Sequence, residues 1–265
     1  GYDPGRYVER RTWATAADGT RVPISLAYRS DLVGAGSDPV SGLDRTAPGY
    51  LYGYGSYEVS TDPVFSAARL SLLDRGVVCA YAHIRGGGEL GRRWYHEGKL
   101  LAKATTFADF VACADHLAEH WVDGDRIAAE GGSAGGLLIG AAVNLAPGRF
   151  RAVHAAVAFV DALTTILDPS LPLTAQEWEE WGNPLADPEA YRVIAAYTPY
   201  ENVRAERYPA ILATTSLNDT RVMFVEPAKW VARLRETVTN DPAERPILLR
   251  CEMVAGHGGR SGRYD

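Results

Sequence analysis

From residue 50 onward, short apolar runs alternate with longer stretches in which apolar residues recur every three or four positions. The runs Tyr50–Tyr52, Val77–His83, Arg126–Ala129, Ala152–Phe159, Ala210–Thr214 and Pro246–Met253 read as strands. The stretches 64–74, 105–121, 134–145, 188–196 and 225–238 read as helices. Within 105–121, at about 100° per residue, Phe107, Phe110, Val111, Ala114, Leu117, Ala118 and Trp121 fall on one face. Strands that are apolar throughout are covered on both sides, so the pattern predicts an α/β fold: a mostly parallel twisted sheet with helices on both faces. Ahead of it, 8–16 and 20–29 are strand-like runs around Asp18-Gly19, a hairpin turn signal. Residues 30–49, rich in Gly, Ser, Pro and Asp, read as an exposed loop.

Composition narrows the function. The 265 residues include 27 Lys or Arg and 33 Asp or Glu, a net charge of −6. An acidic chain without a basic stripe gives no reason to expect nucleic acid as a partner. With 46% apolar and 23% charged residues, disorder, collagen and coiled coil are excluded. Cys79, Cys113 and Cys251 are far apart, which rules out a disulfide framework and a thiolate zinc site. No apolar run reaches the roughly 18 residues of a membrane span, and no signal peptide opens the chain, so a cytoplasmic setting is expected.

Three motifs compete for the chemistry. Gly131-Gly132-Ser133-Ala134-Gly135-Gly136 contains Gly-x-Ser-x-Gly between a strand and a helix, the context of a nucleophile elbow. Only very small residues fit around the serine of so tight a turn. A Gly-rich turn that merely holds a serine is the plainer alternative. A nucleophilic serine needs a base, and the base an orienting carboxylate, in chain order Ser, Asp or Glu, His. Of the two histidines after Ser133, His154 lies inside an apolar strand and reads as core, whereas His257 sits in a Gly-rich loop after the strand at 246–253. Asp219 follows the strand at 210–214, with room before His257 for one helix and one strand. Ser133, Asp219 and His257 are therefore the candidate triad.

His116-Leu117-Ala118-Glu119-His120 matches a zinc-peptidase motif, but both histidines fall opposite the apolar face of their helix, so they are expected to face water. No metal or other cofactor is expected. Arg85 through Gly91 contains Gly-x-Gly-x-x-Gly, but the acidic residue a dinucleotide site needs falls near Asp109, inside a helix pattern. A structural loop is the better reading.

The chain resembles the prolyl oligopeptidase family of serine peptidases, most closely its oligopeptidase B branch. The matching runs are Tyr52 through Tyr57, Arg85 through Gly91, Gly131 through Gly136, Glu177 through Pro184, Glu226-Pro227-Ala228-Lys229-Trp230 and Gly256 through Arg263. The resemblance implies an α/β-hydrolase catalytic domain over 1–265, acting in the cytosol on short peptides after Arg or Lys. It also implies a β-propeller partner domain and a closing C-terminal helix, both expected to lie outside this chain. It assigns the Tyr54 phenol to the oxyanion beside the Ala134 backbone N–H, and Arg221 to the substrate backbone. Glu177 and Glu179, but not Glu180, would read a basic P1 side chain. Asp62 matches one of an acidic pair for P2, whose second position is Val64 here, so P2 preference should be weaker. The tryptophans around Glu177-Trp178-Glu179-Glu180-Trp181 argue for partial burial of these carboxylates, which is costly unless a cation joins them. A related peptidase of other P1 specificity, or a carboxylesterase, would share the triad. A non-catalytic binder would tolerate its loss.

Overall fold

In the computed structural model, which describes residues 2–259, Gly19 turns the chain with φ of 84°, a left-handed conformation that glycine adopts without a Cβ clash. β1 (Tyr7–Thr15) and β2 (Arg21–Arg29) therefore pair antiparallel with Ala14 opposite Val22. The elements that follow are β3 (Gly49–Tyr52), α1 (Ala67–Leu73), β4 (Val78–Ala82), α2 (Arg92–His96), α3 (Ala104–His120), β5 (Ile127–Gly132) and α4 (Ala134–Leu145). Then come β6 (Ala152–Ala156), α5 (Ala162–Ile166), α6 (Thr174–Trp181), α7 (Pro188–Tyr197), β7 (Ala210–Ser216), α8 (Val225–Thr237) and β8 (Ile247–Glu252).

Among the described residues these strands form one eight-stranded sheet in the order β1-β2-β4-β3-β5-β6-β7-β8. β2 pairs antiparallel with β4, and every later pairing is parallel. Helices pack on both faces of this α/β fold, and β4 is buried at every position. α4 packs on β5 and β6, and α8 on β7 and β8. From β3 the chain moves to one side to form β4, then crosses back to place β5 on the other side. Such a switch point opens a crevice at the carboxyl ends of the two strands, here β3 and β5.

Three expectations need correction. The loop at 30–49 is not wholly exposed: Val33, Leu43 and Ala47 are buried, and Ala35 bridges Leu43. β6 stops at Ala156, because Val157 takes φ of 41° and turns the chain out of the sheet. His154 is not core. Its side chain is 33% exposed, 3.6 Å from Glu130 and 3.0 Å from Thr214 Oγ1. Glu130, His154, Leu212 and Leu248 form one row across β5–β8. Along that row the sheet is open, with Leu212 38% and Leu248 49% exposed.

Candidate functional site

β5 runs through Gly132 into α4 without a connecting loop, so Ser133 must absorb the whole change of direction. It does so at φ 57°, ψ −117°, a strained conformation for a residue with a side chain. Its N–H donates to Ala156 O at 2.8 Å, and its carbonyl accepts from Phe159 N at 3.1 Å. Small neighbours make the turn possible: a Cβ on Gly131 would lie 2.2 Å from Gly135 O. Ala134 occupies the first helical position, whose N–H has no acceptor within the helix.

Ser133 and Ala134 border a cavity of about 360 Å³ that also meets Tyr54, Phe159, Glu177 and Arg221. Tyr54 follows β3 on the far side of the crevice. Burial, followed by nearby Tyr52, Glu180 and Glu177, pushes its phenol up to about 12, so it stays protonated and can donate. Glu177, on α6, accepts a 3.1 Å hydrogen bond from Trp181 Nε1. Burial raises its carboxyl above the ordinary range, partly offset by that bond. Arg221 is exposed.

Asp219 lies in the turn after β7. Its Oδ1 accepts from the backbone N–H groups of Arg221 and Val222, both at 2.9 Å. Its Oδ2 lies 2.7 Å from His257 Nδ1. A carboxylate only accepts, so Nδ1 carries a proton, and in the neutral ring Nε2 keeps its lone pair. His257 sits in a turn closed by the Gly256–Gly259 bridge. Among the described residues no hydrogen bond links it to Ser133.

Of the substrate-binding candidates, two fall outside the cavity wall. Glu179 is exposed, two positions from Glu177 and so about 200° around α6. Asp62 is exposed on the coil between β3 and α1, beside the exposed Val64.

The rejected motifs acquire partners. His116 and His120 do not look towards water: His116 Nε2 lies 2.8 Å from Thr12 Oγ1, and His120 Nδ1 lies 3.3 Å from Asp38. The β1 hairpin and the 30–49 loop cover a helix face that periodicity alone leaves open. Asp109 is held by Arg85 in a buried two-bonded pair at 2.8 and 2.6 Å, which fixes the Gly-rich loop after β4.

Two buried groups beside the cavity escaped the sequence reading. Lys103 donates to Gly55 O and Ser56 Oγ, each at 2.8 Å, and lies 3.4 Å from Glu180 Oε1. Glu180 also accepts from Tyr57 N and Tyr95 Oη. Glu226, at the start of α8, is the other. Each is an ordinary charged residue in a helical pattern, and only its partners, far off in the chain, distinguish it.

Comparison with known proteins bears on this arrangement. Residues 63–265 match the model of the prolyl oligopeptidase family. The chain is 49% identical over 266 residues to dipeptidyl aminopeptidase BI of Pseudoxanthomonas mexicana, covering 100% of this chain and 35% of that protein. It is 46% identical to Protease 2 of Moraxella lacunata, covering 100% of this chain and 36% of that one. Oligopeptidase B from Leishmania major superposes with a TM-score of 0.90 at 46% identity, over 97% of this chain and 34% of the other. The closed form of oligopeptidase B from Trypanosoma brucei with covalently bound antipain gives 0.90 at 44% identity, over 98% and 35%. The chain thus spans about a third of the length of these proteins.

Proposed function

Because the chain belongs to the prolyl oligopeptidase family, we propose that it is the catalytic domain of a serine peptidase that hydrolyses short peptides after Arg or Lys. The observation that carries this reading is the strained Ser133 elbow, sharing one cavity with Tyr54 and Glu177, with a downstream Asp219–His257 pair at 2.7 Å.

Ser133 Oγ attacks the scissile carbonyl while His257 Nε2 takes its proton. The imidazolium that forms is stabilised by Asp219, which the Arg221 and Val222 amides hold in place. Substrate binding must bring His257 within hydrogen-bond reach of Ser133, as catalytic contacts often tighten only in the complex. The tetrahedral oxygen receives hydrogen bonds from the Ala134 N–H and the Tyr54 phenol, each worth about 3–4 kcal/mol. His257 then passes its proton to the leaving amine. It next activates a water, which hydrolyses the acyl-enzyme. Arg221 borders the cavity where it can meet the substrate backbone.

Glu177 offers its carboxylate to the P1 cation, while the Phe159 ring lines the same cavity for its stem. Glu179 and Asp62 are left out of this subsite by their exposure. A β-propeller in the longer polypeptide would limit access to short peptides.

The test is to treat the chain with a fluorophosphonate probe and to assay tripeptide amides that differ only at P1. Adduct on Ser133 and cleavage after Arg or Lys support the reading. An adduct with equal cleavage after apolar P1, or ester hydrolysis alone, favours another family specificity or an esterase. No adduct overturns it.

A further inference from the structure

The cavity wall contains a second carboxylate. Glu226 is 1% exposed and borders the same cavity as Ser133 and Glu177. Its Oε1 accepts from Thr165 Oγ1 at 2.6 Å and its Oε2 from the Asp161 N–H at 2.9 Å. Those two bonds use only part of the accepting capacity of a carboxylate.

Among the described residues, the charged groups around it leave it without a cation of its own. Asp161, ahead of α5, pairs with Lys229 of α8, so these two charges offset one another. Glu177 of α6 borders the same cavity and adds negative charge. Arg221, after β7, is exposed to water. Burial pushes the Glu226 carboxyl up to about 7, against the pull of the Thr165 and Asp161 hydrogen bonds and of Lys229. A buried carboxylate without a counter-ion is costly, and a cation brought into the cavity relieves that cost.

We propose that Glu226 is a second specificity residue of the cavity, which acts with Glu177 to receive a guanidinium or ammonium side chain of the substrate. This rests on the reading of the cavity as a peptidase site for basic P1 residues. When the cation enters, Glu226 releases its proton to solvent and remains ionised while the substrate is bound. Affinity for a cationic P1 therefore rises with pH as Glu226 becomes ionised in the free protein. A neutral P1 of the same shape gains nothing from that change.

The experiment compares tripeptide amides with Arg or citrulline at P1, on the full chain, between about pH 5.5 and 8.5. Citrulline keeps the shape of Arg without its charge, so protonation steps common to both substrates cancel in their ratio. The Arg/citrulline ratio of kcat/KM should rise about tenfold with a midpoint near pH 7, carried by KM. Glu226→Gln should lose that rise. Thr165→Val removes a hydrogen bond that favours the carboxylate and should move the midpoint to higher pH, which keeps the test decisive if the Gln variant does not fold. A ratio without a rise near pH 7 in the parent, or a rise that survives in Glu226→Gln, overturns the proposal. A parent that accepts citrulline as well as Arg at every pH overturns both the basic-P1 reading and this inference, and fluorophosphonate labelling then shows whether the hydrolase itself stands.

Discussion

Lys103 and Glu180 face each other at 3.4 Å with neither side chain more than 4% exposed. The pair joins two parts of the candidate site. Lys103 holds the Gly55 carbonyl and the Ser56 hydroxyl next to Tyr54, and Glu180 lies on the helix that carries Glu177. The Lys103 ammonium also lies 4.9 Å from the Trp181 ring. Burial lowers its pKa to about 8, with Glu180 opposing that shift.

Removing one partner of such a pair leaves the other buried and uncompensated. Lys103→Met is expected to lower unfolding stability by about 3–5 kcal/mol. Urea denaturation followed by tryptophan fluorescence measures it. A loss below about 1 kcal/mol would mean that Tyr57 N and Tyr95 Oη satisfy Glu180 without the lysine.

Asp219→Asn tests the orientation of the proposed base. The Arg221 and Val222 amides require an acceptor at Oδ1, so the new NH₂ group must face His257 Nδ1. That forces the proton onto Nε2, the nitrogen that should accept from Ser133. The expected fall in kcat is about 10⁴-fold with little change in fold. A fall of less than tenfold in single-turnover assays contradicts the triad.

Tyr54→Phe removes one proposed oxyanion donor and keeps the ring. The hydroxyl should bond the developing oxyanion more strongly than the ground-state carbonyl. The expected loss is about 10²–10³-fold in kcat with KM nearly unchanged. An effect confined to KM makes Tyr54 a packing or binding residue.

Glu177→Gln and Glu179→Gln separate the two carboxylates. For Glu177 the expected cost is about 2–5 kcal/mol in kcat/KM on P1-Arg substrates, because the desolvated cation loses one of its carboxylate partners. For Glu179, exposed on the other side of α6, the expected cost is below about 0.5 kcal/mol. Equal losses from both would place Glu179 in the subsite and contradict the geometry.

The parallel strands were legible because each is a short apolar run between turn residues, and the hairpin because Asp18-Gly19 marks it. The elbow was legible because small residues must surround a serine there. α6 was less so. Its sequence mixes three glutamates with two tryptophans, and its amphipathic character emerges only when Phe159 and Tyr57 pack on Trp181. The same limit hid the roles of Lys103 and Glu226. A buried charge looks like a surface charge until a chain segment far away in sequence covers it. His116 and His120 show the converse, since a helix face opposite the core was capped by the hairpin and its following loop.

Ser133 follows β5, Asp219 follows β7 and His257 follows β8, and each pairing from β5 to β8 is parallel. Parallel neighbours need crossovers, and closing those loops costs entropy before the pairings offset it. The proposed nucleophile and base therefore come to the same sheet edge only after the last described strand has docked. Helical signal should return early in refolding and reactivity towards a serine probe late. If the proposed peptidase reading holds, a half-made chain lacks the assembled site and poses no hazard to the unfolded polypeptides around it.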